Sequence, residues 1–256
     1  MNITGNTILI TGGGSGIGEA LAHRFHDLGN TVIIAGRRKE LLEQACTGRQ
    51  NMYAMTLDVG SSTDIADFAM RLIAQYPKIN ILINNAGIMR SEILDRHREL
   101  TDAEAMITTN LLGTIRITNA LIDHLVTQPD PAIVNVSSGL AFVPLLSAPT
   151  YNATKAAIHS YTVSLREALK GRVEVVELVP PAVQTALTPG QQTRSGYQPL
   201  SEFTDEVMEL FSLKPTPAEI LVSRVSFQRF AEAEGRFDEA LAKLSEMARK
   251  SGNMPN

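Results

Sequence analysis

Short runs of branched apolar residues alternate with stretches of helical spacing along most of the chain. The strand-like runs cover 7–11, 31–35, 53–57, 79–83, 132–136 and 173–179. Between them, apolar positions recur with a helical period over 16–28, 39–46, 63–75, 102–126 and 151–169. A strand written as an unbroken Ile/Val/Leu run is covered on both faces, and strands separated by helices must be parallel. The pattern predicts an α/β fold: a single-domain, doubly wound parallel sheet with helices on both faces.

The rhythm changes at Pro180. Pro180, Pro181, Pro189, Pro199, Pro215 and Pro217 punctuate a polar stretch, and helical spacing returns over 218–233 and 237–249. Such a stretch after the last β/α unit falls near the carboxyl ends of the strands, where these sheets bind ligands. Residues 186–215 are therefore a candidate substrate lid and 216–254 a helical C-terminal segment, both within one catalytic domain spanning 1–256.

Composition excludes several classes. The chain of 256 residues is 44% apolar and 20% charged, which suits a folded domain, and its net charge of −4 comes without a basic block. A nucleic-acid groove or an anionic membrane surface has no electrostatic support. The one cysteine, Cys46, rules out an intrachain disulfide, and the five histidines are scattered, so no metal is expected. No run reaches the roughly 18 apolar residues of a membrane span, and the start lacks a secretory pattern, which makes a cytoplasmic location the expectation.

The first strand runs into Thr11-Gly12-Gly13-Gly14-Ser15-Gly16-Ile17-Gly18 and then a helix. Glycine here lets the backbone approach a pyrophosphate, and the helix N-terminus offers free N–H groups and partial positive charge. Many β–α turns need glycine for steric reasons alone, so the position of this one, at the first strand–helix junction, carries the argument. The second strand ends at Gly36-Arg37-Arg38. An acid at the Gly36 position would favour the free ribose of NAD, whereas guanidiniums suit a 2′-phosphate. Arginine is unfavourable at a helix N-terminus, so two together call for an anion, and NADP supplies one.

With these turns, Asn84-Asn85-Ala86-Gly87, Asn110, Ser137-Ser138 and Tyr151-Asn152-Ala153-Thr154-Lys155, the chain resembles the short-chain dehydrogenase/reductase (SDR) family. The likeness runs from about residue 3 to 185 and lies in the branch of about 250 residues with a Rossmann sheet. Within it, the DltE-like oxidoreductases are the nearest in pattern. The resemblance implies that Tyr151 transfers a proton, Lys155 lowers its pKa and holds the nicotinamide ribose, and Ser138 orients the substrate oxygen. Ser138 is chosen over Ser137 for its thirteen-residue spacing to Tyr151. Asn110 resembles the fourth member, which bends a helix and anchors a proton-relaying water. The resemblance also implies cofactor contacts at Gly12, Gly14, Ser15, Gly16, Ile17, Gly18, Arg37, Arg38, Asp58, Val59, Asn85, Ala86, Gly87, Pro181, Val183 and Thr185, besides Tyr151 and Lys155.

The residues support the same chemistry independently. Tyr151 and Lys155 are four apart and share a helix face. An ammonium beside a phenol favours the phenolate, so the pair can work near neutral pH. On its own this spacing is common on amphipathic helices; the glycine turn and Ser138 give it meaning.

Two departures stand out. Pro180-Pro181 replaces the usual Pro-Gly, and the expected last strand with its Val-Asp-Gly-Gly-like turn is missing, which leaves a tetramer open. Helices 110–126 and 151–169 carry apolar residues on more than one face, including Leu111, Leu112, Ile115, Val163, and small Gly113, Ala156 and Ala157, which implies a homodimer. Met89, Arg90, Leu140, Phe142, Val143, Leu145, Leu146 and 186–213 are expected to shape an apolar pocket for a small-molecule carbonyl or alcohol. The expected activity is NADP(H)-dependent hydride transfer, with a catalytically idle NADP(H)-binding sensor or scaffold as the alternative. An epimerase or lyase is disfavoured by length.

Overall fold

The computed structural model describes residues 1–250, and the end of the segment expected at 216–254 lies outside the described residues. Seven strands form one parallel sheet in the order β3-β2-β1-β4-β5-β6-β7. They are β1 (Thr7–Thr11), β2 (Thr31–Gly36), β3 (Met52–Thr56), β4 (Ile81–Asn84), β5 (Ala132–Val136), β6 (Glu174–Val179) and β7 (Glu219–Leu221). The helices are α1 (Gly16–Asp27), α2 (Lys39–Cys46), α3 (Ser62–Gln75), α4 (Thr101–Met106), α5 (Gly113–Leu125), α6 (Pro149–Ala168), α7 (Leu200–Ser212), α8 (Ser226–Arg229) and α9 (Phe237–Lys250).

The sheet separates two apolar layers. On one side Ile8, Ile10, Val32 and Ile34 pack with Leu21, Phe25, Leu42, Phe203 and Phe211; on the other Leu9, Ile33, Leu82 and Ile133 pack with Phe68, Leu72, Ile117 and Leu121. Alternate residues of each strand enter opposite layers, so a continuous apolar run is what the fold demands.

Three expectations need correction. A seventh strand exists: Glu219–Leu221 pairs in parallel with Glu177–Val179, where the helical spacing of 218–233 had pointed to a helix. Three residues on a sheet edge carry too little periodicity to announce themselves, and the sequence that follows turns through Ser223–Val225 into the four-residue α8. The strand whose absence left the tetramer open is therefore present in short form. Not all of 186–215 is free to act as the expected lid, because α7 drives Phe203, Val207 and Phe211 into the core, and Phe211 meets Phe25 at 5.9 Å between ring centroids. Finally, the helix expected over 102–126 contains a π-turn, Ile107–Leu112, between α4 and α5.

Candidate active site

The strand order reverses between β1 and β4, and a cleft of about 420 Å³ opens at the carboxyl ends of the strands there. Its floor is the glycine turn. Gly12 and Gly16 have φ of +67° and +58°, a region that side chains avoid, and a Cβ on Gly12 would lie 2.9 Å from Ala86 Cα. The turn is clasped from below: the Asn85 side-chain amide donates to the carbonyls of Thr11 and Gly12 at 3.0 and 3.2 Å, and Thr11 Oγ1 accepts from the N–H groups of Asn85 and Ala86, each at 3.1 Å. Asn85 thus shapes the turn as well as lining the cleft. Ser15 caps α1 with no side-chain bond to its first-turn N–H groups. Those donors suit an anion, and the turn fits the pyrophosphate of a dinucleotide.

Gly12, Gly14, Ser15, Gly16, Ile17, Arg37, Arg38, Asp58, Val59, Asn85, Ala86, Gly87, Pro181, Val183 and Thr185 all line this cleft, as do Ser138, Tyr151 and Lys155. Gly18 does not. It is buried, and a Cβ there would stand 2.4 Å from both Asn85 Nδ2 and Gly12 O, so its smallness serves helix–turn packing. Arg37 and Arg38 are exposed at the β2 end, and Arg38 donates to Ser15 Oγ at 3.1 Å.

Tyr151 and Lys155 project from the first half of α6, which begins on Pro149. Lys155 Nζ is buried, donates to the Val136 carbonyl at 2.8 Å and lies 5.6 Å from the centre of the Tyr151 ring. Ser138 follows β5, accepts from Leu140 N–H at 3.1 Å and hydrogen-bonds the Tyr151 hydroxyl. Burial dominates both titrations. It pushes the Tyr151 phenol up to about 12, with the Ser138 bond acting the other way, and pushes Lys155 down to about 8, with the charge of Glu177 opposing. In this cleft burial is the largest influence on the Tyr151 phenol. The phenol is held as an acid.

Asn110 acts at one remove. It sits inside the π-turn, wholly buried, and grips both backbone groups of Ile88: Oδ1 accepts from the N–H at 2.8 Å and Nδ2 donates to the carbonyl at 2.9 Å. Nδ2 also reaches Thr154 Oγ1 at 3.2 Å, which ties it to α6. The bend implied for this position is thereby explained: a π-turn swings the amide towards the loop after β4.

Several residues escaped the sequence reading. Ile88 and Thr109 line the cleft; Gln191, within the expected 186–213 wall, lines it too and donates to Val183 O at 2.8 Å and Thr185 Oγ1 at 3.2 Å. Glu92 fastens the loop after β4 to the start of α6. Its carboxylate accepts from Thr150 N–H, Thr150 Oγ1 and Arg98 Nη2, each at 2.9 Å. No local pattern betrays such partners, because they meet only across 58 residues of chain.

At the substrate end, Arg90 lines the cleft, and Met89, Leu140 and Leu145 pack with Tyr151. Phe142 and Val143 were expected there and lie elsewhere. Phe142 stacks on His159 and Arg229, and Val143 is buried with Ala231 and Ala240. Leu146 is partly exposed. Gly113 was assigned to close approach between subunits, yet it is buried in its own chain, where a Cβ would meet Val59 O at 2.9 Å. Among the described residues no helix is long and apolar enough to cross a membrane.

The family model for short chain dehydrogenase matches residues 6–195. The uncharacterized oxidoreductase DltE of Bacillus subtilis (strain 168) is 37% identical over 236 residues, covering 90% of this chain and 93% of that protein. Among solved structures, a short chain dehydrogenase from Burkholderia cenocepacia J2315 in complex with NADP superposes with a TM-score of 0.80 at 27% identity, covering 95% of this chain and 99% of that one. A 3-ketoacyl-(acyl-carrier-protein) reductase from Brucella melitensis, complexed with NADH, gives 0.76 at 27% identity, covering 86% and 96%. A glycine-floored cleft, a buried serine–tyrosine–lysine set and a match over most of the chain agree: this protein belongs to the short-chain dehydrogenase/reductase family of oxidoreductases.

Proposed function

We propose that the protein is an NADP(H)-dependent oxidoreductase that interconverts a small ketone or aldehyde and its alcohol, with Tyr151 as general acid and base. The observation that carries this reading is the convergence of Ser138, Tyr151 and Lys155 on the cleft floored by the glycine turn. When bound, the nicotinamide supplies or accepts the hydride. The chain's own residues do the rest. Gly12, Gly14 and Gly16 with the α1 N-terminus hold the pyrophosphate. Arg37 and Arg38 stand where a 2′-phosphate would need charge, and Gly36 leaves out the acid that would repel it.

In the reducing direction the Ser138 and Tyr151 hydroxyls donate to the carbonyl oxygen and polarise it. The phenol O–H bond breaks as its proton passes to that oxygen, leaving a phenolate 5.6 Å, at the ring centre, from the Lys155 ammonium. That charge stabilises the phenolate until it regains a proton. The reverse sequence oxidises the alcohol. Met89, Leu140 and Leu145 provide an apolar wall, and the shortened lid, 186–199, borders the cleft through Ala186, Leu187 and Gln191.

A homodimer through α5 and α6 belongs to the same proposal. Ala156 and Val163 are exposed on α6, and Leu111, Leu112 and Ile115 stay only half-buried beside them. The activity is tested by following NADPH and NADH consumption with a panel of small ketones and aldehydes. Turnover favouring NADPH supports the reading. Tight NADPH binding with no turnover on any carbonyl would favour an idle cofactor-binding protein instead.

A further inference from the structure

Polar residues occupy one register row across four neighbouring strands: Asn84, Asn135, Glu177 and Glu219. Asn84 Nδ2 donates to Asn135 Oδ1 and Thr118 Oγ1, and Asn135 Nδ2 to Thr162 Oγ1, at 2.9–3.0 Å, while Asn84 Oδ1 has no partner. Glu177 brings a carboxylate into the row. It is wholly buried, its Oε2 accepts from His159 Nδ1 at 2.8 Å, and its Oε1 has no hydrogen-bond partner. An ionised carboxylate so placed is costly unless its charge is used.

His159 stands four residues beyond Lys155, so the two share a face of α6 with Cβ atoms about 5–6 Å apart. Lys155 is faced by Tyr151 on its own helix and Glu177 on β6, while Glu177 is faced by His159 and by Arg229 of α8. His159 also feels Glu219 of β7 and Arg229, and Arg166 of α6 acts on Glu219. Ligand atoms of His159, Glu177 and Glu219 lie within 4.8 Å of one another. Arg229, however, already donates to both Glu219 oxygens at 2.6 and 2.9 Å, so a guanidinium fills the place a cation would take. Arg229 is bound to Glu219, which leaves the Glu177 charge to act on His159 and Lys155.

We propose that Glu177 and His159 are positioning residues for Lys155: the carboxylate is the counter-charge that keeps the ammonium protonated, and His159 sets how much of that charge reaches it. The Glu177–His159 bond raises the imidazole pKa, so His159 titrates nearer the range in which Lys155 loses its proton. This inference rests on the catalytic reading of Lys155, and its test separates the two. The readouts are the alkaline limit of kcat/KM and, independently of turnover, the alkaline limit of NADPH binding followed by nicotinamide fluorescence.

Glu177→Gln should move both limits down by about 1 pH unit or more, the size expected for one charge within roughly 12 Å at an effective dielectric near 20. Glu177→Asp, which keeps the charge, should restore them. His159→Gln leaves the carboxylate uncompensated and should move both limits up. A packing fault would move the two glutamine variants together, so opposite signs are diagnostic. Limits that move in the same direction, or that stay within about 0.2 unit of the parent, overturn the proposal. Should Glu177→Gln fail to fold, the half-buried His159 site decides alone: an upward move supports the proposal, and no move or a downward one overturns it. If Lys155→Met retains full turnover, the catalytic reading falls, while the binding limits still report on the charge coupling.

Discussion

Replacing Glu92 by glutamine keeps the shape of the clamp between the loop after β4 and α6 but removes its charge. The side chain is only 4% exposed and Arg98 29%, so the pair is little screened by solvent. Three donors converge on the carboxylate, and an amide has one acceptor oxygen to offer them. The Arg98 bond is charge-assisted, worth about 1.5–3 kcal/mol, and the anion beside the α6 N-terminus adds about 0.3–1 kcal/mol. Glu92→Gln should therefore cost about 2–4 kcal/mol at neutral pH, or roughly 4–16 °C in Tm at about 2–4 °C per kcal/mol for a chain of this size. The pH dependence has a definite sign. Although burial opposes ionisation, the bonds from Thr150 and Arg98 hold the carboxyl below its ordinary value. The stabilisation is thus full above that ordinary value and is lost as pH falls through the depressed one. Calorimetric melts of both proteins between neutral and acidic pH provide the assay. A penalty under about 0.5 kcal/mol at neutral pH, or one that does not shrink on acidification, would refute the reasoning.

Three further outcomes are expected. Gly36→Asp combined with Arg37→Ser should weaken NADP(H) by about 1.5–3 kcal/mol through lost charge-assisted bonds and shift preference toward NAD(H), read as the ratio of kcat/KM values; equal efficiency with both cofactors in the parent would contradict it. Gly18→Ala should lower stability by about 1–3 kcal/mol, because its Cβ collides with Gly12 O and Asn85, and a melt unchanged from the parent would show that the turn can yield. Light scattering at micromolar concentration should give twice the 27.8 kDa chain mass, and a monomer across the range would exclude the α5/α6 dimer.

Much of this was legible in the chain because the signals are local. The six long strands announce themselves as runs such as TVIIA and AIVNV, buried on both faces, and each lies within two residues of its expected bounds. The glycine turn and the Tyr151–Lys155 spacing are local for the same reason: a turn needs certain φ values, and a helix face needs four residues. What stayed hidden depends on distant partners. β7 is too short to carry a period, and Glu219–Leu221 is a strand only because β6 offers its edge. The burial of α7 becomes visible only when Phe203, Val207 and Phe211 meet α1. Nothing local marks Glu92 or Glu177, and their roles emerge only when Thr150 and His159 come to them. The burial of Tyr151 was equally invisible, because spacing reveals the neighbouring ammonium but not the desolvation that raises the phenol.

The central claim is that the Tyr151 hydroxyl supplies the proton in a cleft that holds the cofactor by other groups. Single-turnover kinetics of Tyr151→Phe, with NADPH binding measured on the same sample by nicotinamide fluorescence, tests it most directly. The account predicts hydride-transfer rates lower by at least ~10²–10⁴-fold, with the NADPH Kd nearly unchanged. Near-normal turnover in the phenylalanine variant would contradict it, since the proton would then come from another group.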